Sequence, residues 1–151
     1  MLDLATIRRD SEVEAIMEMS EKQIEALGFT EHSRRHAGIV SKWSGEILRA
    51  LGKTEERVRL AEIAGYLHDI GNCINRKDHA QSGAILSYKI LTRLGMSAPD
   101  AAEIMMAIGN HDEQYGQPVS DVSSALIIAD KADVHKSRVK NAVSDVFKAN
   151  I

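Results

Sequence analysis

Apolar residues recur every three or four positions along almost the whole chain, and only two prolines, Pro99 and Pro118, interrupt them. That spacing lines one face of a helix, whereas a half-buried strand alternates with period two. Runs of β-branched residues are short. The pattern therefore predicts an all-α chain, and 151 residues suffice for a single compact helical domain with a sizeable core. No repeat, linker or low-complexity segment divides it.

Helix punctuation sets the expected boundaries. A first helix is expected from Asp10 to Leu27, stopped by Gly28, after a short turn in residues 1–9. A second begins after Thr30 and ends near Gly52, with Ala37, Val40, Trp43, Ile47 and Leu51 as its apolar face. Thr54 caps a third, with Glu55 and Glu56 in the first turn, where the helix dipole favours acid. Its buried stripe reads Leu60, Ala61, Ala64, Leu67 and His68, and Gly71 ends it. Asp78 and Gln81 have the spacing of a capping box and open a fourth helix to Leu94. Ser97 caps a fifth that reaches about His111. After the loop DEQYGQP, a sixth starts near Pro118 to Ser120, and a seventh segment closes the chain after about His135.

The 22 acidic and 19 basic side chains leave a net charge of -3, which gives no general attraction to nucleic acid or an anionic membrane. A lone cysteine, Cys73, excludes an intrachain disulfide and fits a reducing compartment. No apolar run reaches the roughly 18 residues of a membrane span, and the start MLDLATIRRDSEVE is too charged for a signal peptide. A cytoplasmic location is expected.

Certain polar residues do not fit this pattern. GYLHDIGN ends the third helix's apolar stripe with His68 and Asp69 side by side. Asp130 follows the most apolar run of the chain, Ala125-Leu126-Ile127-Ile128-Ala129. A carboxylate among apolar neighbours needs a partner or carries a desolvation cost. Lys131 or Arg138 could pair with Asp130 at the surface; a metal could also satisfy it. His32, His79 and His111 fall near helix termini, where side chains of different helices can meet. Imidazole with carboxylate suits Zn, Fe, Mn, Co or Ni. The residues alone leave two accounts open: scattered core and surface histidines, or one shared metal site.

The order His32, His68-Asp69, Asp130 resembles that of the HD superfamily of metal-dependent phosphohydrolases. EHSRRHAG resembles its opening histidine helix, LAEIAGYLHDIG its His-Asp helix, and ALIIADKADV its closing aspartate helix, together spanning about residues 30–135. The resemblance implies that His32, His68, Asp69 and Asp130 hold a metal, and that His79 and His111 complete a second position with Asp69 bridging. One or two divalent transition metal ions are then the cofactor. His36 stands where the family usually shows an aliphatic residue and reads as a core or supporting group. The Glu-Asp pair of the ppGpp-hydrolysing relatives is missing, since Ile70 and Gly71 follow Asp69. The paired histidine and Gly-Tyr-Pro element of cyclic-dinucleotide enzymes is matched only in part, by Asn110-His111-Asp112 and Tyr115-Gly116-Gln117-Pro118.

The chemistry implied is hydrolysis of a nucleotide or small phosphomonoester by metal-activated water. The alternatives are a phosphodiesterase for cyclic or dinucleotide substrates and a non-catalytic nucleotide-binding module. Arg76, Lys77, Lys131 and Arg138 flank the proposed ligands and could receive phosphate. Asp69 is the central catalytic carboxylate. Asp112 and Glu113, beside His111, could orient water or protonate a leaving group. A small phosphorylated molecule is the expected partner, without nucleic acid or membrane; a homo-oligomer is compatible with the sequence.

Overall fold

A computed structural model of the chain describes residues 1–28 and 34–133. Among the described residues seven α-helices follow one another: α1 (Leu4–Arg9), α2 (Ser11–Ala26), α3 (Arg34–Ala50), α4 (Glu55–Leu67), α5 (His79–Arg93), α6 (Ala98–Gly109) and α7 (Asp121–Ala132). A 3-10 turn, Ile70–Cys73, follows α4. Among the described residues there is no strand, so the all-α expectation holds. The chain from 134 on, where the seventh segment was expected, lies outside the described residues, as does the expected start of the second helix.

Caps place most of the termini. The Asp10, Thr54, Ser97 and Ser120 side chains accept from the backbone N–H groups of Val13, Arg57, Asp100 and Ser123. Asp78 departs from the expected capping box. Its backbone is left-handed, with φ 59°, and its side chain makes no cap hydrogen bond. Gln81 instead donates to the Gly109 carbonyl at 3.2 Å, tying α5 to the end of α6. The third helix also ends earlier than Gly71. It stops at Leu67, and the chain turns through His68 and Asp69 into the 3-10 turn.

α4 is buried nearly all round: Val58, Leu60, Ala61, Ile63, Ala64, Tyr66 and Leu67 all belong to the core. A helix apolar on every side occupies the centre of its fold, so its end carries His68 and Asp69 into the interior. α3 buries Ala37 and Val40 of its expected apolar face and packs Trp43 and Ile47 against the core, but its contact also uses small residues the spacing did not single out. Ser41, Ser44 and Gly45 are buried with Leu48, whereas Leu51 is 66% exposed. An added Cβ on Gly65 would fall 2.7 Å from the Ser41 Cα, so the two backbones nearly touch. Ser41 Oγ closes the contact by donating to the Glu62 carbonyl at 2.7 Å.

Two further ties hold the site's frame. Ser20 Oγ on α2 donates to the Ile70 carbonyl at 3.0 Å, clamping the 3-10 turn. At the other end of α4, Arg57 reaches both Glu103 on α6 and Asp121 on α7. Its guanidinium pKa is raised by those two carboxylates, and that of Asp121 is lowered chiefly by Arg57. No helix among the described residues is long and apolar enough to cross a membrane.

Candidate metal centre

Four imidazoles and two carboxylates converge where the ends of α4, α6 and α7 meet the starts of α3 and α5. His36 comes from α3, His68 and Asp69 from the turn after α4, His79 from the first residue of α5, His111 from just beyond α6, and Asp130 from α7. Adjacent rings lie 5.0–5.1 Å apart, from His36 to His68, His68 to His111 and His111 to His79. All four histidines are buried, while the Asp69 and Asp130 side chains keep 19% and 22% exposure. The carboxylate side is where the cluster meets solvent. Asp69 has φ -102° and ψ 5°, a sparsely populated region common at active sites.

Hydrogen bonding fixes how the rings face. Nδ1 of His68, His79 and His111 lies 2.7, 3.0 and 2.6 Å from the carbonyl oxygens of Gly65, Arg76 and Ile108. A carbonyl only accepts, so each Nδ1 carries a proton and each Nε2 faces inward, where it can offer a lone pair to a cation. Nδ1 of His36 lies 2.7 Å from Asp133 Oδ2.

The inward atoms meet at Asp69. Its Oδ2 is 3.2 Å from His68 Nε2 and 3.6 Å from His36 Nε2; its Oδ1 is 3.4 Å from both His79 Nε2 and His111 Nε2. Asp130 Oδ1 is 3.0 Å from His36 Nε2 and 3.4 Å from His68 Nε2. Among the described residues two sets of ligand atoms are close enough to share an ion: His36, His68 and Asp130, and His68, Asp69 and His111.

The donors fit a cation on two grounds. Nε2 of His68 and of His111 are buried beside carboxylate oxygens, yet neither makes a hydrogen bond. Converging lone pairs without hydrogen-bond geometry suit a shared positive ion. The electrostatics agree. Burial alone would lower the His68 pKa, but the Asp69 and Asp130 carboxylates reverse this and raise it well above the usual value. Asp130 is pushed up by burial, yet His68 and His36 hold it far below the carboxylate range. The site thus draws positive charge.

The structure brings His68, Asp69, His79, His111 and Asp130, all singled out in the sequence, into one cluster. His32, assigned there to the first metal shell, lies outside the described residues. His36, read as a core or supporting group, has its Nε2 in the centre. The two are four positions apart in the sequence, which is one helical period, so periodicity cannot choose between them; the apolar residue four places after His36, Val40, would have been the available signal. Asp133, which no pattern flagged, is 5% exposed and backs His36. Burial would raise its pKa, and the His36 hydrogen bond with the Arg35 guanidinium lowers it instead.

The candidate charged groups are placed differently. Arg76 donates to Asn72 Oδ1 at 3.3 Å, and its carbonyl holds His79. Lys77, Lys131 and Glu113 are exposed. Asp112 Oδ1 accepts from the Gln114 N–H at 3.0 Å and shapes the loop after α6. Arg138 lies outside the described residues. A cavity of about 20 Å³ between α2 and the centre reaches Asp69 and His36, walled by Met17, Tyr66 and Ile70. A space of that size holds about one water molecule.

The family profile of the HD domain matches residues 29–137. The chain belongs to the HD domain family. A crystal structure of a predicted HD superfamily hydrolase from an uncultured Thermotogales bacterium superimposes with a TM-score of 0.64, covering 98% of this chain and 82% of that one at 24% identity. At that identity the match shows the shared fold. An uncharacterized protein of Methanocaldococcus jannaschii is 24% identical over 152 aligned residues, which are 86% of this chain and 58% of that protein. The chain thus spans little more than half the length of that curated relative. α1 and α2, and with them the Ser20 clamp, precede the residues that the profile matches.

Proposed function

We propose that this HD domain hydrolyses the phosphate ester of a nucleotide or small phosphomonoester, using divalent transition metal ions held by His36, His68, Asp69, Asp130, His79 and His111. The observation that carries the reading is the division of Asp69. One carboxylate oxygen faces His36 and His68, and the other faces His79 and His111. Two donor sets joined through one carboxylate suit a pair of cations. Such ions, when bound, acidify a water molecule and neutralise charge developing on phosphoryl oxygens.

The chain's own groups prepare that chemistry. The Nδ1 hydrogen bonds fix the tautomers, so all the Nε2 atoms face the carboxylates without rearrangement. The rings are buried while the Asp69 and Asp130 side chains keep partial exposure, so approach is on the Asp69 and Asp130 side. Arg76 and Lys77 next to His79, and Lys131 next to Asp130, are the cations assigned to substrate phosphate. Glu113 is the better candidate for moving a proton, because Asp112 is occupied in its turn.

The test is phosphate release from a panel of mononucleotides, sugar phosphates, cyclic nucleotides and dinucleotides, with Mn, Co, Fe, Ni or Zn added to metal-free protein. Turnover of a monoester, abolished by His68→Gln, supports the reading. Turnover of diesters alone makes the protein a phosphodiesterase. Tight nucleotide binding with no turnover under any metal makes it a binding module.

A further inference from the structure

The four imidazoles of the centre are not backed alike. His68, His79 and His111 each give the Nδ1 proton to a main-chain carbonyl three residues earlier. His36 gives its proton to a carboxylate, with Nδ1 2.7 Å from Asp133 Oδ2. Asp133 is buried at the end of α7, and the same oxygen receives Arg35 Nη2 at 3.0 Å. Asp130 meets the other side of the ring, 3.0 Å from Nε2. The imidazole is therefore gripped between two carboxylates from one turn of α7.

We propose that Asp133 is a positioning residue that acts through His36 and makes the His36–His68–Asp130 side the tighter of two cation positions. The inference rests on the metal-centre reading above. An anionic acceptor draws on the Nδ1 proton more strongly than a neutral carbonyl does, which raises electron density on Nε2 and makes it a better donor. It also locks the ring plane, because rotation would break the bond to Asp133 and the alignment with Asp130 together. Arg35 helps hold Asp133 in place by donating to that same oxygen. This position also has Asp130 as a second carboxylate donor beside its share of Asp69. The opposite position has His79, His111 and the other oxygen of Asp69, with both rings backed only by carbonyls.

The experiment titrates metal-free, full-length protein with Mn and with Co in a calorimeter, and records thermal unfolding of each metal-free sample. Wild type is compared with Asp133→Ala, Asp133→Asn and His36→Gln. Wild type should show two binding events of unequal affinity, and His36→Gln should remove the tighter one. Asp133→Ala should weaken that event by about 10- to 100-fold while leaving the weaker one in place. Asp133→Asn keeps an acceptor oxygen without the charge and should fall between. If Asp133→Ala does not fold, the Asn variant makes the same comparison. A lowered melting temperature with both affinities unchanged would mean that Asp133 serves only the fold, and overturns the proposal; so does equal weakening of both events. A wild type that binds neither metal refutes the metal-centre reading itself, before any variant is compared.

Discussion

Gly71→Ala places one methyl group where the structure has no room for it. An ideal Cβ at residue 71 would lie 2.0 Å from the His79 carbonyl oxygen, 2.6 Å from the Gly83 nitrogen and 2.6 Å from Ser82 Oγ. Ordinary contact begins at 3.4 Å. The serine side chain can rotate away, but the other two atoms are backbone of α5, so the helix start must retreat by over an ångström. Gly71 itself is not in the left-handed region, so the obstacle is space and not conformation. Overpacking of this kind costs about 1–3 kcal/mol. For a chain of this size, 2 kcal/mol corresponds to a fall of roughly 4–8 °C in melting temperature. The larger consequence is at the centre. His79 is the first residue of α5, and its Nε2 stands 3.4 Å from Asp69 Oδ1. Metal–ligand distances tolerate only about 0.2 Å, so the position shared by His79 and His111 should lose at least about tenfold in affinity, the lower end of what disturbed support causes. Thermal unfolding and calorimetric metal titration of the same sample measure both effects. Wild-type melting and wild-type affinity in Gly71→Ala would refute the packing argument.

Gly109→Ala is the matched control: its Cβ would meet only the Ala84 side chain at 3.6 Å, so stability should hold or rise by up to about 1 kcal/mol, read from denaturant midpoints. Asp69→Asn should lower metal content and phosphate release together while the metal-free protein keeps its melting temperature, because asparagine preserves the shape but not the charge between the two donor sets; unchanged metal content by elemental analysis would contradict that. Arg57→Met should destabilise by about 1–2 kcal/mol, since it leaves Glu103 and Asp121 without their shared cation. The same variant has a pH signature. The folded Asp121 pKa is lowered, so its stabilisation is present above the unfolded value of roughly 3.9 and is lost as pH falls through the folded value. Wild-type and Arg57→Met unfolding curves should therefore converge in acid; a constant gap down to pH 2 would count against the linkage.

Much of this was legible because helices report on themselves. Capping residues such as Asp10, Thr54 and Ser97 act through bonds only three residues long, and the sequence displays them directly. His68, Asp69 and Asp130 stood out because charge on an apolar stripe demands an explanation. What escaped depended on distance between segments. The α3 face was read only in part: Ala37 and Val40 are buried as expected, but Ser41, Ser44 and Gly45 look like weak hydrophobic positions, and only the close approach of α4 makes small size the requirement. Asp78 resembled a cap, yet its left-handed backbone is set by the turn entering α5. Asp133 follows the end of a helix, where acid is ordinarily solvated, and it is buried only because His36 and Arg35 arrive from a segment almost a hundred residues away.

The central claim is that Asp69 joins two cation positions, and anomalous diffraction from crystals of metal-loaded protein tests it most directly. Data collected on both sides of the Mn or Co absorption edge should show two peaks per chain. One should be bounded by His36, His68 and Asp130, the other by His79 and His111, with an Asp69 oxygen on each. Peaks away from these six residues, or a fully loaded crystal with Asp69 bound to neither ion, would contradict it.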